Sequence, residues 1–145
     1  MKYNDQEKNF QLIKDYVENK KGFMKYNKMH VEEIKKNYAK MSADIDEDSL
    51  NPSNIAHGGL IFGLADSVMG MAARTNGKNV VTINSQIDYL RPGTGKKLTA
   101  IATPLKVGKT TAVFKSEIYT DENKLCATVT GTYYFLDREI TKDKK

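Results

Sequence analysis

One stretch constrains the fold of this chain more than any other, 51-NPSNIAHGGLIFGLADSVMGMAAR-74. Apolar residues occupy every face of its second half, and a helix that is apolar all round is typically buried. Asp66 is the only charged residue between Gly58 and Ala73. A buried carboxylate is costly unless it is paired, hydrogen-bonded or protonated. The stretch therefore predicts a buried helix in which Asp66 has specific partners. One predicted apolar face comprises Leu60, Leu64, Val68 and Met71, and another comprises Phe62, Met69 and Ala73.

The start of this helix has chemistry of its own. His57, Gly58 and Gly59 open it, and the free N–H groups and positive dipole of a helix start suit a carbonyl oxygen that gains negative charge. Asp66 follows His57 by nine residues, which corresponds to about 13.5 Å of rise and about 900° of rotation. The two side chains therefore lie on opposite sides of the helix. We expect a second copy of the chain to bring its Asp66 to the first copy's helix start.

The remaining sequence predicts a helix before this stretch and a meander after it. Residues 4–20 have apolar residues near helical spacing, and Gly22 is expected to stop that helix. A polar, strand-compatible region follows at about 29–46. One long apolar helix followed by an antiparallel meander indicates an α+β fold, with a sheet curled around the helix. The four predicted strands of the meander are 80–90, 97–107, 110–119 and 125–136.

Period-two alternation assigns faces to two of these strands. Along the first strand, one face is predicted to carry Val81, Ile83, Ile87 and Tyr89. Along the third strand, one face is predicted to carry Ala112, Phe114 and Ile118.

Composition excludes several classes of protein. The chain has 145 residues, which is one domain by length, and a net charge of +5. Its single cysteine, Cys126, excludes an internal disulfide and is expected to be a small buried residue. The only histidines are His30 and His57, so together with one cysteine the chain has too few ligands for a zinc or iron cluster. No metal or other cofactor is expected.

Targeting and partner signals are weak. The first residues, MKYNDQEKNFQLIKDY, have no apolar core of a signal peptide, and no apolar run reaches the length of a membrane span. We therefore expect a cytoplasmic protein that has no membrane partner. The sequence has no basic stripe interleaved with aromatic residues, so nucleic-acid binding is not predicted. The positive charge does suit an anionic ligand such as a nucleotide phosphate.

These residues together resemble a known family. The pattern N-x5-HGG-x6-D leading into an apolar helix, followed by 87-IDYLRP-92 on a strand, is similar to the hotdog-fold acyl-CoA thioesterases of the phenylacetate-degradation (PaaI) type. The resemblance implies a hotdog domain at 29–138, in which a curved antiparallel sheet wraps one long central helix. An N-terminal helical extension, 1–28, and a charged tail, 139–145, flank that domain. The resemblance further implies an acyl-CoA substrate and a homodimer or homotetramer with active sites at the dimer interface.

The resemblance also implies roles for individual residues. Asp66 matches the catalytic carboxylate, which acts as general base on water or as nucleophile toward the thioester. Gly58 matches the backbone donor that polarises the thioester carbonyl, and His57 matches the histidine that orients it. Asn51 matches the amide that positions water or substrate, and Thr82 on the next strand is the best match for a hydroxyl near the site. A further substrate contact is expected from Val81. Two interpretations remain open for Arg91, Lys106, Gly108 and Lys109: contacts to the phosphates of coenzyme A, or ordinary turn and surface residues.

Two other functions remain open at this point. A hotdog module could bind an acyl-CoA as a sensor or regulatory subunit without hydrolysing it, although pure binding needs no activated carboxylate. A hotdog dehydratase would need a His paired with Glu or Asp in another loop, which the sequence does not supply. Acyl-chain specificity, the choice between dimer and tetramer and the role of the N-terminal helix are not fixed by the sequence.

Overall fold

The computed structural model describes residues 3–139, with side chains from 5 to 137. Most of the tail predicted at 139–145 therefore lies outside the described residues. Within them, three α-helices and six β-strands follow one another with a short 3-10 helix at Glu47–Ser49. The helices are α1 (Tyr3–Asn19), α2 (Phe23–Tyr26) and α3 (Gly58–Arg74). The strands are β1 (Met29–Lys35), β2 (Tyr38–Asp44), β3 (Lys78–Tyr89), β4 (Lys97–Val107), β5 (Thr111–Thr120) and β6 (Leu125–Glu139).

The six strands form one antiparallel sheet in the order β1-β2-β4-β5-β6-β3. Helix α3 contacts all six strands, so the sheet wraps around it. The polar region at 29–46, whose pairing the sequence left open, forms the hairpin β1–β2. The predicted α+β architecture, a curved sheet around one long helix with an extra N-terminal helix, is confirmed.

Helix α3 forms the centre of the core, as its composition predicts. All four residues of its first predicted apolar face are buried, and so are Met69 and Ala73. Its glycines allow close packing: a β-carbon at residue 63 would lie 2.7 Å from Cζ of Phe23. The side chain of Phe23 from α2 thus lies against α3, one turn before Asp66.

Helix α1 packs on the domain through a narrow apolar stripe. Ile13 and Val17 are buried, and the Asn9 amide donates to the backbone oxygen of Arg74 at the end of α3 (3.1 Å). The helix ends at Asn19, and Gly22 precedes α2 instead of stopping α1. The helix predicted at 4–20 is therefore confirmed to within one residue at each end. The role predicted for Gly22 is wrong, because it is the N-cap of the next short helix.

A β-bulge in β3 reverses the side-chain alternation of that strand. The register with β6 shifts between Thr82 and Asn84, so Ile83 is an extra residue. Before the bulge, Thr82 lies opposite Tyr133, whose hydroxyl reaches Asp66 of α3. Directly opposed residues point to the same side of a sheet, so Thr82 faces α3.

Because of the bulge, the residues predicted to share one face of β3 lie on two faces. Val81 neighbours Thr82 and points away from α3, and its side chain is 47% exposed. Tyr89, beyond the bulge, is on the α3 side, where its hydroxyl donates to the oxygen of Gly58. The single face predicted for β3 is therefore wrong, since period-two alternation does not continue through an inserted residue. The face predicted for β5 is confirmed: Ala112, Phe114 and Ile118 are all buried.

Cys126 is fully buried at the start of β6, as predicted, and burial raises the pKa of its thiol. Among the helices of residues 3–139, none has the length and apolar character needed to span a membrane.

Candidate active site

The start of α3 leaves one backbone donor free. His57 caps the helix in an extended conformation, and its Nδ1 accepts a hydrogen bond from the Gly59 amide (2.8 Å). The Leu60 amide donates to the His57 oxygen (3.0 Å). The Gly58 N–H has no acceptor within residues 3–139. This amide therefore lies at the positive end of a 17-residue helix with its hydrogen available to a ligand.

A compact loop fixes this helix start. The side-chain oxygen of Asn51 accepts from the amides of Ser53 (2.9 Å) and Ile55 (3.3 Å), and the Asn51 amide donates to the Ile55 oxygen. The His57 amide in turn donates to the Ser49 oxygen (2.8 Å). The side-chain oxygen of Asn51 thus shapes the loop, and of its side-chain polar atoms only the nitrogen, Nδ2, is left for a ligand.

Tyr89 connects the helix start to the end of β3. Its hydroxyl donates to the Gly58 oxygen at 2.8 Å, and partial burial raises the pKa of this phenol. A β-carbon at residue 58 would lie 3.1 Å from the Tyr89 hydroxyl oxygen. Glycine at position 58 therefore lets the tyrosine approach the backbone closely.

Asp66 lies two turns further along α3 and is held by two hydroxyls. Thr82 Oγ1 donates to Asp66 Oδ1 at 2.9 Å, and the Tyr133 hydroxyl donates to the same oxygen at 2.8 Å. Within residues 3–139, Oδ2 has no hydrogen-bond partner. The carboxylate is only partly buried. One oxygen is thus anchored, and the other is free for chemistry.

Tyr133 is the site residue that the sequence analysis missed. It lies on β6 with 1% of its surface exposed, and burial together with the adjacent Asp66 carboxylate raises the pKa of its hydroxyl. The phenol therefore stays protonated and acts as a donor. Alternation along 125-LCATVTGTYYFL-136 places Tyr133 on the inner face with Val129, but that pattern does not identify its partner on α3.

Arg74 supplies the positive charge of this region of α3. Burial lowers the pKa of its guanidinium, while the nearby Tyr16, Asp66 and Tyr133 raise it. Its Nη2 donates to the Val80 oxygen at 3.4 Å. The position also suits the negative end of the helix dipole, because Arg74 is the last residue of α3.

The predicted catalytic residues form two separate groups in one protomer. His57, Gly58 and Asn51 surround the helix start, whereas Asp66 and Thr82 meet at the middle of the helix. Eight residues of α3 separate Gly58 from Asp66, a rise of about 12 Å. The protomer therefore brings Thr82 to Asp66 but leaves both far from the free amide.

The predicted phosphate contacts also lie apart. Arg91 is exposed beyond the end of β3, and its amide donates to the Cys126 oxygen at the start of β6. Lys106 lies near the end of β4, and Gly108 and Lys109 follow in the β4–β5 turn, where the Thr110 oxygen accepts from the Phe135 amide. These two points are separated along β6 by about 30 Å. They cannot hold one phosphate within a single protomer.

Comparison with known proteins agrees with the fold and with the motif. The family model described as the thioesterase superfamily matches residues 53–127. The acyl-coenzyme A thioesterase PaaI of Escherichia coli is 33% identical over 105 residues, covering 72% of this chain and 75% of that protein. An Archaeoglobus fulgidus protein, provisionally named an esterase, is 32% identical over 129 residues, covering 88% of this chain and 84% of that protein.

A solved structure extends the likeness to nearly the whole chain. The E. coli PaaI protein from the phenylacetic acid degradation operon superposes with a TM-score of 0.86 at 28% identity. The match covers 94% of this chain and 99% of that one. The residues that match the family model, 53–127, contain the helix start, Asp66 and strands β3 to β5. The chain therefore belongs to the thioesterase superfamily and has its hotdog fold.

Proposed function

We propose that this protein hydrolyses an acyl-CoA thioester to a free acid and coenzyme A, at a site shared between two protomers. The observation that carries the proposal is the Asp66 carboxylate, whose Oδ1 accepts from two hydroxyls while Oδ2 has no partner within the described residues. The thioesterase family match and the acyl-coenzyme A thioesterase among its relatives supply the substrate class.

A free carboxylate oxygen suits this reaction. As general base, Asp66 Oδ2 takes a proton from water while the water oxygen attacks the thioester carbon. The C–S bond then breaks and coenzyme A leaves as a thiolate, which needs little acid assistance because an ordinary thiol has a pKa of about 8.5. As nucleophile, Oδ2 instead forms a mixed anhydride that water hydrolyses. A single turnover in ¹⁸O-water tests the second route: direct attack by water labels only the product acid, whereas label in the Asp66 carboxylate requires the anhydride, with water attacking its Asp66 carbonyl carbon.

The start of α3 supplies the complementary charge. The Gly58 N–H donates to the thioester carbonyl oxygen as that oxygen becomes negative. The Nδ1 of His57 is occupied by the Gly59 amide, which leaves Nε2–H to orient the same carbonyl. The amide nitrogen of Asn51 is available to hold the attacking water. No metal or other cofactor takes part in this scheme.

The free edge of β3 supports the second protomer. The other edge strand, β1, is flanked by α1, whereas β3 is a 12-residue edge that exposes Val81 and Ile83 by 47% and 57%. A long apolar edge of this kind is a template for pairing with another strand. A twofold axis pairs β3 with β3 of a second copy in antiparallel orientation and makes one continuous sheet.

This pairing unites the two groups of site residues. Thr82, which contacts Asp66, and Tyr89, which contacts Gly58, are separated by seven residues, or about 23 Å along the strand. Because Ile83 is an extra residue, Thr82 and Tyr89 are each three pairing positions from Gln86. With the twofold axis at Gln86, Thr82 of one protomer lies beside Tyr89 of the partner subunit, and opposed residues point to the same side of the sheet. Asp66 of one copy then faces Gly58 of the partner subunit. A dimer has two such sites, and a tetramer is a pair of these dimers.

The same axis unites the proposed phosphate contacts. Arg91, two residues beyond Tyr89, is carried to the end of the partner sheet at which Lys106 and Lys109 lie. We assign the phosphates of coenzyme A to this positive cluster, with the Gly108 turn between the two lysines. The side chain of Val81 lies on the outer face of β3, away from Asp66, and has no part in this site.

Removal of the free amide hydrogen tests the role of the helix start. Proline at position 58 lacks the N–H, and proline is favourable at the first position of a helix. His57 already has the extended backbone that a residue before proline requires, with φ −61° and ψ 138°. Gly58→Pro is expected to lower kcat by about 100- to 1000-fold, the usual cost of one oxyanion donor.

Gly58→Ala is the matched control for this variant. It adds the same β-carbon against Tyr89 but keeps the N–H, and its loss of kcat is expected to be far smaller. Equal losses in the two variants would assign the effect to crowding at Tyr89 and would remove the amide from the mechanism.

The function itself is tested by thiol release from phenylacetyl-, benzoyl-, acetyl-, butyryl-, hexanoyl- and palmitoyl-CoA. Purified protein is run beside Asp66→Ala, and release from at least one substrate that disappears in the variant is the expected result. No release from any of the six, with acyl-CoA still raising the melting temperature, would contradict the hydrolase and establish the acyl-CoA-binding module in its place.

A further inference from the structure

The hydroxyl of Tyr133 has two acceptors, both on Asp66. Its hydroxyl oxygen lies 2.8 Å from Asp66 Oδ1 and 3.3 Å from the backbone oxygen of the same residue. A hydrogen bond to a carboxylate is shorter and stronger than one to a neutral carbonyl. The proton therefore lies toward Oδ1, and the contact with the backbone oxygen is secondary.

The ring of Tyr133 is fixed from several sides. Phe114 packs edge-on against it, with ring centroids 6.4 Å apart and planes at 78°. Gly131 leaves room for the ring, because a β-carbon there would lie 2.9 Å from Cε2 of Tyr133. With 1% of its surface exposed, the ring has little freedom to move. The hydroxyl is thus a donor of fixed position in the core of the protomer.

The second donor to the same oxygen is of a different kind. Thr82 is exposed in the protomer and lies on the free edge strand β3. Thr82 pairs with Tyr133 of β6 inside the protomer, but its hydroxyl is on an exposed residue, whereas Tyr133 is 1% exposed. Tyr133 is therefore the donor whose bond to the carboxylate is shielded from competing water.

We propose that Tyr133 is a positioning residue for the reaction: its buried hydroxyl holds Oδ1 of Asp66 and so keeps Oδ2 directed at the thioester. The inference rests on the proposed function, which supplies the reaction at Oδ2. Without the hydroxyl, the carboxylate can rotate about its terminal torsion, which has broad wells in aspartate. Misplacement of a catalytic group by about 1 Å costs on the order of 100-fold in rate.

The test is Tyr133→Phe, which keeps the buried ring and removes only the hydroxyl. We expect kcat to fall by about 10- to 100-fold while KM stays within about twofold, because the bond acts on the reacting carboxylate and not on substrate binding. Tyr134→Phe is the matched control: the adjacent tyrosine is 45% exposed and points to the other side of the sheet. It should leave both constants unchanged.

A second measurement on the same variants does not depend on enzyme activity. Carboxyl ¹³C NMR, with the Asp66 signal assigned by its absence in Asp66→Asn, is expected to show that signal shifted in Tyr133→Phe and unmoved in Tyr134→Phe. A wild-type enzyme with no thiol release would overturn the proposed hydrolysis, and with it the catalytic part of this inference, while the NMR result still decides whether Tyr133 holds the carboxylate. An active enzyme in which Tyr133→Phe retains wild-type kcat, or loses only in KM, would overturn the positioning role.

Discussion

Asp66→Asn is expected to lower kcat by about 100- to 10,000-fold, the range for loss of a general base. The amide keeps an oxygen that accepts from Thr82 and Tyr133, so the two hydrogen bonds to Oδ1 have a replacement. It has no basic or nucleophilic oxygen at the position of Oδ2. The folded protein should therefore persist while the chemistry is lost, with KM almost unchanged. Steady-state thiol release measures the rate, and thermal unfolding measures the stability.

A neighbouring hydroxyl serves as the control for this change. Ser67 follows Asp66 on α3, but its hydroxyl donates to the Gly63 backbone oxygen inside the helix (2.6 Å). Ser67→Ala should leave kcat near that of the wild type. Wild-type kcat in Asp66→Asn would mean that the carboxylate has only a structural role, and the proposed mechanism would have to be abandoned.

Ile83→Asp is expected to convert the assembly to monomers and to abolish thioesterase activity together. Ile83 is the bulge residue of β3, and 57% of its side chain is exposed in the protomer. Pairing of two β3 strands would bury an unpaired carboxylate from each copy, which costs several kcal/mol per charge. Since each monomer would have Asp66 without a facing helix start, we expect kcat/KM to fall by at least about 100-fold. Light scattering coupled to size-exclusion chromatography measures the mass in the same samples.

Leu105→Asp is the matched control for Ile83→Asp, because it adds the same charge at another place in the sheet. Leu105 is 58% exposed on β4, an interior strand, so the same charge is added at equal exposure away from the β3 edge. It should retain activity. A fully active Ile83→Asp monomer would show that one protomer contains a complete site.

The parts of the fold that the sequence predicts well are those encoded locally. The bounds of α3 follow from a capping residue, an apolar run and the turn after Arg74, and all of these are contiguous in sequence. The strands β4, β5 and β6 are bounded by turn residues in the same way. Asp66 could be singled out for a similar reason, since a lone charge in an apolar helix is visible without any knowledge of what packs around it.

The missed features depend on contacts between distant segments. Tyr133 is one aromatic residue in an apolar strand, and it becomes a donor to Asp66 only through the register of β6 beneath α3. The bulge at Ile83 has no local signal such as glycine, so the alternation of β3 reads as uninterrupted. The distance between Arg91 and Lys109 is likewise set by strand order, which motif spacing does not contain.

The central claim, that Asp66 and Gly58 act together from different protomers, is tested most directly by mixed dimers of two inactive variants. Asp66→Asn and Gly58→Pro are co-expressed with different tags, and the doubly tagged dimer is purified. A shared site predicts that each mixed dimer has one intact site and regains about half of the wild-type activity. Activity no greater than that of either parent variant would contradict the account, because it would place both residues of each site in a single protomer.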